Sequence, residues 1–232
     1  MDDRVSQIDL STLQERVYQE LRNALYQGRF VPGEQLTIRS LATALGTSPM
    51  PVREALQRLV AEKALVQMPN RNFRVAPLTA EIFDELTRIR VEIEGYAAQR
   101  AAVRATPALI ERLRAINDDF RRVVAADEPN PILEANQAFH FVLYNAAEAP
   151  QLLEIIKSLW LRSGPFLALV RKVSGSIVMF ERGVHIHERL VAALEHRDPA
   201  AARYAIALDI RAAASWFRHN YQFDATAERR AE

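Results

Sequence analysis

Apolar residues recur at helical spacing along most of the chain. Val17, Leu21 and Leu25, with Tyr18 beside them, form a stripe that stops near Gly28, and residues 29–36, RFVPGEQL, read as a connection. Ile38, Leu41, Ala42 and Leu45 form a second, shorter stripe, closed by Gly46 where a helix needs a left-handed residue. Ser48 stands as the N-cap of a third helix. Pro49 and Pro51 fall in its first turn, where a missing N–H costs little because it has no intrahelical partner. This third helix sends Val52, Leu56 and Leu59 to one side and Met50, Arg53 and Gln57 to the other. Val66 and Met68, then Phe73 and Val75, alternate with polar neighbours about a turn at Pro69–Asn72, which predicts a hairpin.

The pattern changes after Ala76-Pro77. Thr79 is placed to cap a long helix running to about Arg104. Breaks at Thr106-Pro107, 127–131 (DEPNP), Ala149-Pro150, Ser174-Gly175 and 197–199 (RDP) divide the remainder into roughly six helices of about 15 to 25 residues, with no convincing strand. The predicted class is mainly α. Residues 1–77 make a winged helix-turn-helix, and residues 78–232 make an antiparallel α-helical bundle.

Composition narrows the function. The 232 residues are 49% hydrophobic, enough for a sizeable core, and seven glycines suit a helical chain. No cysteine is present, which excludes disulfides, thiolate metal sites and cysteine nucleophiles. The opening MDDRVSQIDL has no apolar signal core, and no stretch approaches a membrane span, so a cytoplasmic protein is expected.

Net charge is only +1: residues 1–77 carry 10 Lys+Arg against 8 Asp+Glu, and the rest carry 20 against 21. Such a weak field means that any grip on nucleic acid must come from placed contacts. Arg39, Arg53, Arg71 and Arg74 are so placed, around the third helix and on the hairpin, where guanidinium groups can fork onto guanine edges or clamp phosphates. The exposed face of the third helix suits a major groove.

The bundle carries polar residues on stripes that should be purely apolar. One stripe is Ile132, Asn136, His140, Leu143; a second is Phe180, Val184, His187, Val191, Leu194; a third is Ala202, Ile206, Asp209, Ala213, Trp216. Burial of Asn136, His140, His187 and Asp209 demands mutual hydrogen bonds, water or an ion. Two imidazoles, a carboxylate and an amide oxygen suit a divalent metal such as zinc, nickel, iron or manganese, and a hydrogen-bonded polar cluster is the alternative. His185, about 200° round a helix from His187, faces elsewhere. His196 sits at a helix end, His219 reads as exposed, and Trp160, Phe166 and Trp216 read as core packing.

The phrase PVREALQRL at 51–59, with the helices on either side, resembles the GntR family of transcription regulators, in its FadR-like subgroup with an FCD effector-binding domain. The resemblance covers nearly the whole chain. It implies base contacts by Arg39 and Arg53, with Ser48, Pro49 and Met50 at the start of the recognition helix and Arg71 in the wing. Gln57, on the same outward face, joins them. In FCD domains an aspartate, a histidine four residues later and two further histidines hold the metal. Here NQAFH supplies His140 and HERLVAAL supplies His187, but Asn136 replaces the aspartate and Asp209 stands where the last histidine is expected. RIRVEIE resembles the first effector-domain helix, which makes Arg90 a candidate for pairing an organic-acid carboxylate; a surface Arg90–Glu94 pair is the alternative.

The resulting expectation is a homodimeric regulator, a repressor in most of the family, that reads an inverted repeat on double-stranded DNA and responds to a small metabolite. A metal-dependent helical enzyme, hydrolytic or oxygen-activating, is the competing class. No HExxH, paired ExxH units or nucleophile with its base supports it.

Overall fold

The structure, a computed structural model, describes residues 10–69, 72–170, 176–221 and 223. Its elements in chain order are α1 (Leu10–Tyr26), β1 (Gln35–Leu36), α2 (Ile38–Ala44), α3 (Pro49–Ala61), β2 (Leu65–Gln67), β3 (Phe73–Val75), α4 (Ala80–Val103), α5 (Pro107–Ala125), α6 (Pro129–Asn145), α7 (Pro150–Val170), α8 (Ile177–Glu195) and α9 (Pro199–Asn220).

Local chemistry sets the ends of the short helices. Thr37 Oγ1 accepts from the Ser40 N–H at the start of α2. At its other end Gly46 takes φ +62°, the Thr47 N–H reaches back to the Ala42 carbonyl at 3.0 Å, and the Gly46 N–H reaches Thr43 at 3.2 Å. This is a Schellman turn, and the left-handed residue makes it cheap.

Ser48 occupies the N-cap of α3 as expected, yet its hydroxyl makes no cap bond. Pro51 at the third position has no N–H to offer, which removes one of the two usual donors. Val52, Leu56 and Leu59 are fully buried against α1, whose Val17, Leu21 and Leu25 form the facing stripe.

The wing differs from the sequence expectation in two ways. Residues 29–36 are not all connection, because Gln35–Leu36 forms an edge strand on β3, giving an antiparallel sheet in the order β1-β3-β2. On β2 the inward residue is Leu65 rather than Val66. Leu65 faces Val75 and is 1% exposed, whereas Val66 pairs with Arg74 and is 37% exposed. Arg71 and the Ser174-Gly175 break lie outside the described residues.

The bundle follows the predicted breaks. Thr79, Thr106 and Asp198 cap α4, α5 and α9 through their side chains, and Pro at the first helical position opens α5, α6 and α9. The long helix α4 lies against α9, α7 and α6, and α8 packs on α9 and α5. Small residues allow the close α4 contacts: Ala97, Ala98, Ala101 and Ala102 are completely buried.

The two parts meet where α1 ends against α7. The Tyr26 hydroxyl donates to the Lys157 carbonyl at 3.1 Å. At Gly164 the approach is closer still, since an added Cβ would strike the Leu25 carbonyl and come within 2.9 Å of Tyr26 Cα. Only glycine fits there.

Candidate functional site

Two sites emerge, one on the surface of α2 and α3 and one inside the bundle. On the surface, Arg39, Ser48, Pro49, Met50, Arg53 and Gln57 are all exposed, and Met50 projects with 63% of its surface free. The buried stripe of α3 turns these residues outward together, because helical residues three to four apart share a face. Among the described residues neither Arg39 nor Arg53 forms a salt bridge.

Arg58, on the same helix, is different. Its Nη1 lies 2.7 Å from Glu15 Oε2, and its guanidinium carbon sits 3.5 Å above the Tyr18 ring. Arg58 fastens α3 to α1, while Arg39 and Arg53 are left for a partner. Arg74 is half-buried with an enclosed Nε that lacks a hydrogen-bond partner, so it is less available than its place on the hairpin suggested.

Inside the bundle, His140 on α6, His187 on α8 and Asp209 on α9 each offer a ligand atom, all within 4.8 Å of one another. His140 Nε2 stands 3.3 Å from Asp209 Oδ2. Asn136, one turn from His140, lines the same cavity as His140, Asp209 and Arg90, a space of about 860 Å³ including its mouth.

Hydrogen bonds fix the tautomers. Asn117 Nδ2 donates to the Val184 carbonyl at 3.2 Å, so its Oδ1 accepts from His187 Nδ1–H at 3.1 Å. That leaves His187 Nε2 as a bare lone pair, buried without a partner. The Phe139 ring, stacked at 3.8 Å between centroids, holds the imidazole flat. Burial pushes the His187 imidazolium down to about 3, with Asp209 opposing and His140 adding to the shift, so the ring is neutral. Burial disfavours the Asp209 carboxylate, but the hydrogen bond from His140 and the nearby positive groups outweigh it and lower its pKa.

A second group of residues supports this one. Glu94, completely buried on α4, accepts from Arg90 Nε at 2.6 Å, from Trp160 Nε1 at 3.0 Å and from the Tyr144 hydroxyl. Burial, together with the charge and hydrogen bond of Glu94, raises the Tyr144 pKa well above its ordinary value, so the phenol keeps its proton and donates a hydrogen bond to Glu94. The Tyr144 oxygen therefore accepts from His140 Nδ1–H at 3.0 Å, and His140 turns Nε2 toward Asp209. That nitrogen and the carboxylate oxygen are placed to share a cation.

The sequence reading is thus amended in places. The Arg90–Glu94 pair exists but is not a surface pair, because Glu94 is enclosed and Arg90 lines the cavity. Trp160 and Phe166 are buried as expected, and both also line the cavity. The periodicity gives no sign of Asn117 or Tyr144, and it offers Glu94 only as a surface partner of Arg90. His185 is exposed beside Glu188, and His196 and His219 bond to carbonyls of their own helix turns, as minor roles require.

Residues 13–75 match the family described as bacterial regulatory proteins of the gntR family, and residues 85–212 match the FCD domain. The HTH-type transcriptional regulator McbR of Escherichia coli (strain K12) is 32% identical over 192 residues, covering 83% of this chain and 86% of its own. A probable D-xylose utilization operon transcriptional repressor of Paenarthrobacter nicotinovorans is 27% identical over 89% of each chain. The solved structure of E. coli McbR/YncC superposes with a TM-score of 0.85 at 29% identity, covering 89% of this chain and 97% of that one. With its winged helix-turn-helix and helical bundle both matched, the chain belongs to the GntR family and is a DNA-binding transcription regulator with an FCD domain, not an enzyme.

Proposed function

We propose that residues 1–77 bind an inverted-repeat operator as half of a homodimer, and that residues 78–232 bind a small organic acid which alters that binding, with repression as the resting outcome. Arg39, Arg53 and Gln57 reach base edges, Ser48, Pro49 and Met50 approach the groove at the tip of α3, and Arg71 extends the contact from the wing. A second copy is supported by Ile89, Tyr96 and Val103, exposed at seven-residue intervals along one face of α4.

The observation that carries the effector reading is the enclosed lone pair of His187 Nε2 beside Asp209 and His140. A buried acceptor without a donor is costly, and a divalent cation removes that cost. The residues fit one: His140, His187 and Asp209 would hold it, with Asn136 completing the set, and zinc, nickel, iron and manganese all accept such ligands. The ion, when bound, supplies positive charge that attracts a carboxylate. Arg90 supplies the second positive group, its Nε held by Glu94 and no hydrogen bond to its Nη atoms among the described residues.

The test is a mobility shift on DNA upstream of the protein's own gene, with zinc-loaded and chelator-treated protein. Specific, salt-sensitive binding supports the regulator, and a metal-dependent change in affinity supports the loaded pocket. Absence of specific binding to this DNA and to any sequence selected from a random pool would refute the DNA reading.

A further inference from the structure

The polar groups of the cavity lie at one end. Along α4 the lining residues are Phe83, Thr87 and Arg90; along antiparallel α9 they are Phe217, Ala213 and Asp209. The Phe83 and Phe217 rings meet at 5.0 Å, so these residues share one level, while Arg90 and Asp209 interact at the other. Seven helical residues separate the levels, about 10 Å of axial rise. On α7, Trp160 stands at the polar level, and Phe166 reaches the aromatic one, 5.3 Å from Phe83. Leu167, Met179 and Phe180 add to the lining with no hydrogen-bonding atom in any side chain except a weakly accepting sulfur.

The two hydroxyls between the ends are already committed. Thr87 Oγ1 donates to the Phe83 carbonyl at 2.8 Å and Ser163 Oγ to the Leu159 carbonyl at 2.9 Å. A ligand bearing several hydroxyls or carboxylates would exchange water for phenyl rings and find no free donor along the shaft, a large penalty. A ligand with one charged head and an oily body loses nothing there.

We infer that the effector is a monocarboxylate with an apolar tail, straight or aryl, of roughly six to eight carbons, its head at Arg90 and its tail among Phe83, Phe166 and Phe217. The inference rests on the effector pocket proposed above and specifies its ligand class.

The experiment titrates zinc-loaded full-length protein calorimetrically with butanoate, hexanoate, octanoate and 3-phenylpropionate, and with gluconate, citrate and 1-octanol. Each added methylene should tighten binding about three- to fourfold, as burial of a CH₂ group requires. Gluconate and citrate should bind at least about tenfold more weakly than octanoate, since they lose hydrogen bonds that the shaft does not replace. 1-Octanol should bind more weakly than octanoate, for want of the charged head.

Met179→Gln places an amide in the apolar lining of the cavity with little change of volume, and should flatten the chain-length dependence. A flat chain-length series in the natural protein, or tighter binding of citrate or gluconate with affinity lost in Arg90→Lys, would overturn the tail assignment and leave the effector pocket standing. Binding by no acid, with Arg90→Lys indistinguishable from the natural protein, would overturn both. The operator assay is scored separately.

Discussion

Arg90 Nε lies 2.6 Å from Glu94 Oε1, and the carboxylate it meets is wholly enclosed although the guanidinium is 21% exposed. An i,i+4 pair that would contribute a few tenths of a kcal/mol on a surface thereby becomes a structural requirement. Arg90→Ala leaves Glu94 buried without its cation and should destabilise the protein by about 3 kcal/mol, the lower end for a broken buried pair because water reaches part of the site. Chemical denaturation measures this. A loss of effector binding in that variant is ambiguous, so the binding role is read from Arg90→Lys, which keeps the charge and loses the fork. Arg90→Lys should retain most of the stability and weaken carboxylate binding.

Asp209 can be tested with little change of shape. Asp209→Asn removes the one carboxylate among the three ligand candidates and should abolish stoichiometric zinc binding, measured by elemental analysis after gel filtration. In the natural protein, zinc at about 100 times its dissociation constant should add about 2.7 kcal/mol of stability, which a chelator reverses. Equal zinc content in both proteins, with no thermal response to the chelator, would refute the site.

The arginines of α2 and α3 should separate into two behaviours. Arg39→Ala and Arg53→Ala remove exposed side chains that form no salt bridge among the described residues, so each should cost about 1–3 kcal/mol of specific operator binding at unchanged melting temperature. Arg58→Ala breaks the contacts to Glu15 and Tyr18, and should lower stability by about 1 kcal/mol with sequence preference retained. Binding-site selection from random duplexes, run beside thermal melts, distinguishes the two.

Gly164→Ala forces a Cβ into the Leu25 carbonyl and Tyr26 Cα. Overpacking of this kind costs about 1–3 kcal/mol. The cost falls on the seam between the two parts, so operator affinity should change together with the melting temperature. A variant with natural stability and natural affinity would show that the seam yields freely.

Long periodic segments were legible from residues alone. Each bundle helix has a polar cap or a Pro at a break, and the polar trio of His140, His187 and Asp209 showed because histidine and aspartate stand out on apolar stripes. The wing was harder. A two-residue strand such as Gln35–Leu36 has no period to read, and Val66 seemed the inward residue because Leu65 belongs equally to the apolar run ending the preceding turn. The burial of Glu94 was invisible for another reason: an arginine four residues before a glutamate has the same spelling on a surface and in a core, and only tertiary packing tells them apart. Trp160 was hidden by its own double use, since an indole that packs a core can also donate to a buried carboxylate.

Helix α7 carries Trp160, Ser163 and Gly164 on the wall of the bundle cavity, and the same Gly164 is the seat of the α1 terminus. The cavity wall and the seat of the DNA-binding half are thus two faces of a single helix. A chimera that grafts the DNA-binding half of a relative onto this bundle would have to inherit the end of α1 as a matched part, as a key and its ward are cut together. On the function proposed above, reprogramming the operator means exchanging exposed side chains of α2, α3 and the wing, but transplanting the response means transplanting the seam.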